Sequence, residues 1–461
     1  MANFATGISK NSALAFTPTS YLVDSIILRN HHGRTLDIRM IVTEIEITES
    51  LYLPSVMIKL SIKDSVNLFE ELELIGQETI EIKLLRQDNA QDAAKKTVTM
   101  SFFVTEYPVY GRPQAVQHTQ VYSIVGISQH AYISQFKSIS RAVSGLTSKV
   151  MSDIFINDLY VNPAYMTMRG EPVTQFNGII PNMRPLDALE WLRRRTFDKD
   201  GSPFFLYETI SEGINLRSLT NLVNPDTNWL YYTYTDSRGF NREALSKEDY
   251  VQRAQRILDI SSSMKLSKPL SGSDGAYSST NHFVDISTKS YTTKVFDYDK
   301  DFDVKNTLEQ KSTFSKKFTL PIGGPKSKLV SLNEMPLAHQ EFIPTNSLAF
   351  SNNATISNYQ GMARDLIHKA SAFEENFETY VHDIELCGDF SFNPGRRIKL
   401  QFPKAEDPTA NKAGSNVKDN NRFDRTLSGY YLVTGVVHRF KGDAYYIRAR
   451  VKRDSLSFNL T

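Results

Sequence analysis

With 461 residues, 40% of them hydrophobic and 23% charged, the chain has an ordinary globular composition and the length for about three domains of ~150 residues, each able to bury its own core. Its formal net charge of +2 lacks the concentrated basic excess of a nucleic-acid-binding module, so non-specific DNA affinity is not expected. Cys387 is the single cysteine, which excludes an internal disulfide framework and a multi-cysteine zinc site and fits folding in a reducing cytoplasm.

The first 25 residues hold Lys10 and a short S-A-L-A-F run, but no basic start followed by a sustained apolar core. No stretch approaches ~18 consecutive apolar residues, so neither secretion by that route nor a membrane-spanning segment is expected. The 27 Phe and 22 Tyr suit β-rich structure, where aromatic side chains pack well across strands. Val56, Ile58, Leu60 and Ile62 alternate with polar or flexible residues and predict a strand with one buried face. Asp64 then opens a short helix-like run to Leu74, and Gly76 precedes a second alternation at Ile80, Ile82 and Leu84. After a polar loop over Asp88–Lys96, the segments 101–111 and 120–128 read as two further strands.

Residues 129–162 contain helical runs such as Leu146–Tyr160. The block that follows is the clearest local signal in the chain. Pro185 suits a first helical turn, where its missing N–H has no partner to lose, and Asp187 sits where the helix dipole favours an acid. Leu186, Leu189 and Leu192 fall at helical spacing, with Ala188 and Trp191 widening the apolar stripe. Arg193, Arg194 and Arg195 offset the last carbonyls, so the helix is expected over 185–195 and to end near Thr196. The D-K-D-G run at 198–201 is turn chemistry, and Phe204–Tyr207 with Ile214–Leu219 predicts a hairpin within 203–219.

Another helix is expected over 248–260 and a Ser- and Gly-rich loop over 261–280. An acidic run at 295–303, a P-I-G-G-P turn at 321–325 and a helix from Asn358 to about Phe373 follow. The C-terminal part then repeats the N-terminal order. The segment 380–386 precedes Gly395 and the alternation Ile398, Leu400, Phe402, then a polar loop, then two strands over 429–438 and 444–455. Phe102–Thr105 stands where Tyr431–Thr434 stands, and Gln120–Ile127 stands against Ala444–Val451. We read this as a duplicated antiparallel β-barrel-type unit. The alternative is that two unrelated β-domains share alternation and a glycine before a strand.

The fold expected is therefore α+β and β-rich, with two similar antiparallel β-barrel (tube-type) domains and helical and mixed α/β insertions. The first barrel occupies 1–128, a mixed α/β domain 129–244, a discontinuous second barrel 245–299 and 374–461, and an inserted segment 300–373. In the last strand Ile447, Ala449 and Val451 alternate with Arg448, Arg450 and Lys452, just as Ile398, Leu400 and Phe402 alternate with Arg397, Lys399 and Gln401. One face packs inward. The basic set Arg397, Lys399, Arg448, Arg450 and Lys452 is expected on the other face, toward a channel, a neighbouring chain or plain solvent.

Enzyme chemistry finds little support. The nine histidines form no HExxH or other recognised metal spacing, and adjacent His31 and His32 read as a surface loop with side chains pointing apart. His382 and Cys387 fall on opposite faces of one strand, with Cys387 expected as a small buried hydrophobe. Asp297, Asp299, Asp301 and Asp303 resemble the start of a calcium loop, but Phe302 stands where a hand-type loop needs Gly and Leu308 where it needs an acid, with Glu309 one step late. No GxSxG, Walker or GxGxxG sequence is present, and Gly323–Gly324 lies between prolines as a turn. Glu70–Glu71 and Glu374–Glu375 look like charged helix faces, although a glycosidase pair is defined by a three-dimensional separation. No catalytic residue, cofactor or metal is assigned.

Residues 55–84, 182–192 with 203–209, 275–299 and 427–440 together resemble, in order and spacing, the baseplate hub proteins of contractile-tailed phages, relatives of the hub part of type VI secretion spike proteins. The stretch 300–357 corresponds least. The resemblance implies a homotrimer in which two similar barrels per chain give six around a ring, a pseudo-sixfold adaptor between a hexameric tail tube and a trimeric central spike. It implies a virion structural protein of the tail baseplate, made in the host cytoplasm, with no enzymatic activity. Implied partners are the tail tube or tube-initiator protein, the spike, the tape-measure and baseplate wedge proteins, and DNA only in passage through the channel during genome ejection. Some hubs carry a fused cell-wall hydrolase; the chain reaches Thr461 without room for one, so any lysis activity is expected in a partner. The alternatives are a tail-associated glycan- or peptidoglycan-active enzyme and a host-surface-binding module.

Overall fold

Alternating apolar residues build the first β unit, and each strand buries the same face. In the computed structural model, which describes residues 21–86, 97–108, 110–111, 119–169, 172–224, 233–236, 255–264, 274–286, 288–303, 307–311, 317–320, 328–331, 340–345, 372–373, 376–377, 379–404 and 423–457, the fold is β-rich α+β with large antiparallel sheets. The unit comprises β1 (Tyr21–Arg29), β2 (Thr35–Asp37), β3 (Val42–Ser50), β4 (Met57–Asp64), α1 (Leu68–Glu71), β5 (Thr79–Arg86), β6 (Thr97–Glu106), β7 (Tyr110–Gly111) and β8 (Gln120–Ser128). Its strands run β1-β5-β6-β8-β4-β3, all antiparallel. Ile26, Leu28, Ile45, Ile47, Ile58, Leu60, Ile62, Ile80, Ile82 and Leu84 fill the interior. The corner between β2 and β3 bonds to β1 on one side and β4 on the other: Ile38 N–H donates to Ile26 O at 2.8 Å and Lys63 N–H to Ile41 O at 2.9 Å. Asp64 does open α1, since its carboxylate accepts from Val66 N–H at 2.8 Å and Leu68 N–H at 2.7 Å.

The middle of the chain gives α2 (Gln129–Gln135), β9 (Ile139–Leu146), α3 (Thr147–Asp153) running into a π-helical turn at Ile154–Asp158, and β10 (Met166–Arg169). It continues as β11 (Gln175–Met183), α4 (Pro185–Arg193), β12 (Phe204–Thr209), β13 (Gly213–Ser218) and α5 (Leu219–Val223). Helix α4 has Pro185 in its first turn and buries Ala188, Leu189 and Leu192 against Phe155, Ile180, Phe204 and Leu206. Burial pushes the Glu190 carboxyl up, but hydrogen bonds and charge from Arg193 and then Arg194 outweigh it and hold the group below its ordinary value. The β12–β13 hairpin forms as expected and both its strands are buried throughout. Gly213 closes it at φ +69°, where an added Cβ would lie 2.3 Å from Tyr165 O, so a side chain there would meet both strain and a clash.

The second β unit draws on β14 (Thr233–Asp236), β15 (Arg256–Ile257) and β16 (Asp259–Met264). After them come β17 (Ser278–Asp285), β18 (Ser290–Asp297), β19 (Lys317–Leu320), β20 (Lys328–Ser331) and β21 (Gln340–Thr345), then β22 (Tyr380–Cys387), β23 (Arg397–Gln401), β24 (Gly429–Lys441) and β25 (Ala444–Arg453). Strands pair in the order β16-β22-β25-β24-β23-β14-β15. Because β15 and β16 follow each other through Leu258, whose N–H donates to Glu385 O at 2.8 Å, this sheet closes on itself. Ile384, Leu386, Ile398, Leu400, Val436, Ile447, Ala449 and Val451 point into it. β24 also pairs with β3, from Gly435 opposite Ser50 to Lys441 opposite Glu44, so the two units form one continuous sheet over one apolar cluster.

Several local expectations differ from what forms. The described part of 248–260 is strand, because β15 and β16 pair with β14 and β22 and this tertiary pairing overrides the local pattern. The span 261–280 likewise contains the end of β16 and the start of β17, and β9 lies within the helical region 129–162, paired to β11. Strand pairing also cuts the chain elsewhere than at 244 and 299. β14 joins the second unit, whereas the β17–β18 hairpin pairs with β21 in a three-stranded sheet of its own. The acidic run forms one helical turn at Tyr298–Asp301, with Asp301 accepting from Asp297 N–H at 2.9 Å and Lys300 2.9 Å from Asp297. The expectations at 88–96, 321–325, 248–254 and 358–371 lie outside the described residues. Among the described residues no helix is long and apolar enough to cross a membrane.

Candidate functional site

The seam between the units is where buried polar chemistry concentrates. On β3, Ile45, Ile47 and Glu49 share the inward face; on β24, Val436, His438 and Phe440 do. Glu49 Oε2 and His438 Nε2 lie 3.6 Å apart, both side chains fully buried, and neither atom has a hydrogen-bond partner among the described residues. His438 Nδ1 is 2.7 Å from the Tyr445 hydroxyl, and the other Glu49 oxygen accepts from Ile210 N–H. The β12–β13 hairpin is thereby tied to the seam.

A second buried acid completes that attachment. Glu208 on β12 accepts from Val56 N–H at 2.8 Å, from the Ser128 hydroxyl and from the Tyr165 hydroxyl at 3.2 Å, which links β12 to the start of β4 and the end of β8. Glu212 bridges Arg217 and Arg396, each at 2.8 Å, and so ties the hairpin to the second unit as well. Ser128, His130 and Glu208 line a cleft of about 490 Å³, yet they do not form a relay. The serine hydroxyl bonds Glu208 directly, and His130 Nε2 is 2.6 Å from Pro54 O, so that nitrogen donates to a carbonyl and is not a base toward Ser128.

The five basic residues singled out in the sequence do not share one environment. Arg397 lies on the outward phase of β23 but is buried, donating to Val223 O at 3.0 Å and Leu308 O at 2.9 Å with its guanidinium 3.9 Å from the Tyr430 ring centroid; this corrects its expected place toward a channel, a neighbouring chain or solvent. Lys452 is buried too, with Nζ 3.1 Å from the Tyr52 hydroxyl. Lys399 is half-buried near Tyr430. Arg448 and Arg450 remain exposed, the first 3.7 Å from Glu385 and the second bidentate to Asp383 at 2.8 and 3.0 Å. Across the seam the same face continues through Arg439, bonded to Glu44 and 3.5 Å from Glu46, and Lys441, 3.8 Å from Glu44. The acidic strands β22 and β3 thus flank the two adjacent basic strands β25 and β24, and the surface is mixed in sign.

His382 and Cys387 occupy opposite faces of β22, with Cys387 half-buried on the outward face and not in the core. His31 and His32 are exposed in the turn after β1, but their rings do not point apart: the centroids are 3.9 Å from each other. Glu49, His438, Glu208 and Glu212 went unrecognised in the sequence. The signal was present, since Glu49 and His438 are in phase with apolar neighbours and Glu208 ends a continuous apolar run.

A double β unit, antiparallel except where β14 joins β15 and β23 in parallel and so departs from the antiparallel second barrel expected, with a mixed α/β insertion, is the class of architecture this geometry defines. No protein-family model matches the chain, and no curated protein sequence matches it. Among solved structures it is similar to the tail protein from Neisseria meningitidis MC58, with a TM-score of 0.51 and 11% identity over 96% of this chain and 100% of that one. The 43 kDa tail protein of prophage MuSo2 from Shewanella oneidensis aligns at a TM-score of 0.48 and 12% identity, covering 93% of this chain and 98% of that one. The E. coli c3393 protein, a component of the type VI secretion system, aligns at a TM-score of 0.40 and 9% identity over 91% and 75%. The chain shares the fold of the Neisseria tail protein.

Proposed function

We propose that this protein is a structural baseplate hub of a phage tail: a homotrimer that joins the hexameric tail tube, or its initiator, to a trimeric central spike and encloses part of the axial channel. The observation that carries this reading is the edge-to-edge pairing of β3 with β24, which fuses two β units of one chain into a single sheet. Three copies related by a threefold axis then present six such units, which matches a sixfold ring on one side and a threefold spike on the other. The fold shared with a tail protein supports the same role.

The face bearing Arg448, Arg450, Arg439, Glu44, Asp383 and Glu385 is assigned to the channel or to the contact between copies. Its paired charges suit passage of DNA, because an unbroken basic lining would hold phosphates with strong, salt-dependent affinity, whereas bases paired to flanking acids are offset. The protein acts without catalysis or cofactor, in the virion tail after synthesis in the host cytoplasm, beside tape-measure and wedge proteins. The test is the double variant Arg448→Glu, Arg450→Glu. Exposed ion pairs contribute only about 0 to 1 kcal/mol each, so circular dichroism should show a folded chain while co-purification with tube and spike proteins falls. Undiminished assembly would remove these side chains from any interface.

A further inference from the structure

We propose that His31, His32 and Glu73 form a binding site for one divalent transition-metal ion of the zinc class. One donor atom from each of the three lies within 4.8 Å of the others, with His32 Nε2 3.7 Å from Glu73 Oε2. The three come from two segments that are held together independently of any ion. The Asn30 side chain is buried; its amide donates to Leu72 O at 2.9 Å, while its carbonyl oxygen accepts from His32 N–H at 3.1 Å and Arg34 N–H at 2.9 Å. Arg34 pairs with Glu71 at 3.0 Å across the same gap. The turn after β1 is therefore docked on the exit of α1, and both imidazoles face the carboxylate.

Two nitrogen donors and one carboxylate oxygen select zinc, nickel, cobalt or copper over calcium and magnesium, which take oxygen sets. Zinc holds such ligands at about 2.0 to 2.2 Å. The donors lie within 4.8 Å of one another on exposed side chains, which rotamer adjustment brings to that distance. Three protein ligands leave a tetrahedral position open to water or to a donor from a neighbouring molecule. All three side chains are exposed, so the ion acts as a surface staple between the turn and α1.

Equilibrium dialysis of the purified full chain against micromolar zinc chloride tests this. The expected result is one zinc per chain, with affinity reduced about tenfold or more in His32→Ala and in Glu73→Gln. Controls His282→Ala and Cys387→Ser should bind as the parent does. Cobalt in place of zinc should give visible absorption that the two ligand variants lose. Because the three side chains are exposed, all variants should melt as the parent does in the absence of metal. Failure to retain zinc, or retention that is unchanged in the ligand variants or lost in the controls, would overturn the assignment.

Discussion

Acid should weaken the second β unit through one histidine. His382 sits inside that unit with Nε2 3.0 Å from the Tyr431 hydroxyl and Nδ1 2.8 Å from the Ser262 hydroxyl. Tyr431 donates to Leu427 O at 2.6 Å, so its oxygen is free to accept from His382 Nε2–H, and Ser262 then donates to Nδ1: the neutral ring satisfies every partner. Burial, and then the positive charge of Arg453, lower its pKa from 6.5 to about 4. Between those values the unfolded chain binds a proton that the folded chain refuses, so stability is fully present above pH 6.5 and is lost as pH falls toward 4. At roughly 1.4 kcal/mol per pH unit, the loss is about 3 kcal/mol, a large share of a typical domain's 5 to 15 kcal/mol. Asp454 opposes this in the same window. Burial raises its pKa from 3.8 to about 6, so the folded chain binds the extra proton and stability falls as pH rises through that range. The wild-type profile alone is thus ambiguous, and the measurement is a difference: urea unfolding of wild type and His382→Gln at pH 7, 6, 5 and 4. Wild type should lose about 3 kcal/mol more than the variant between pH 6.5 and 4. Parallel profiles would refute the argument.

Leu189→Ala, at a fully buried position of α4, should cost about 2 to 5 kcal/mol in thermal or urea unfolding; an unchanged transition would mean that the helix is peripheral. Glu208→Ala should leave the Tyr165 hydroxyl short of an acceptor and the Val56 amide and Ser128 hydroxyl with only each other's segment as partner, at roughly 1 to 3 kcal/mol, and Glu208→Gln should recover part of the loss in the same assay. Equal costs for Ala and Gln would refute this, because Gln keeps both the volume and one acceptor oxygen of the native side chain.

Periodicity made much of this fold legible. The alternations at Ile58–Ile62 and Ile447–Val451, the Pro185 helix and the β12–β13 hairpin all form where the sequence places them, because each signal is local and each has a buried face. What stayed hidden depends on partners distant in the chain. Arg397 and Lys452 obey the outward phase of their strands, yet Val223, 174 residues from Arg397, and Tyr52, 400 residues from Lys452, cover them. β16 reads as part helix and part loop until β22 offers it a ladder. The seam was legible in principle: a glutamate in phase with Ile45 and Ile47 and a histidine in phase with Val436 and Phe440 mark inward polar groups that must find each other.

The most direct test of the hub account is the mass and symmetry of the purified protein at micromolar concentration, by light scattering together with averaged particle images. Three copies of the 52.4 kDa chain around an open axial channel, with six similar lobes in projection, are predicted. A monomer, or a dimer closed by a twofold axis, would contradict the account.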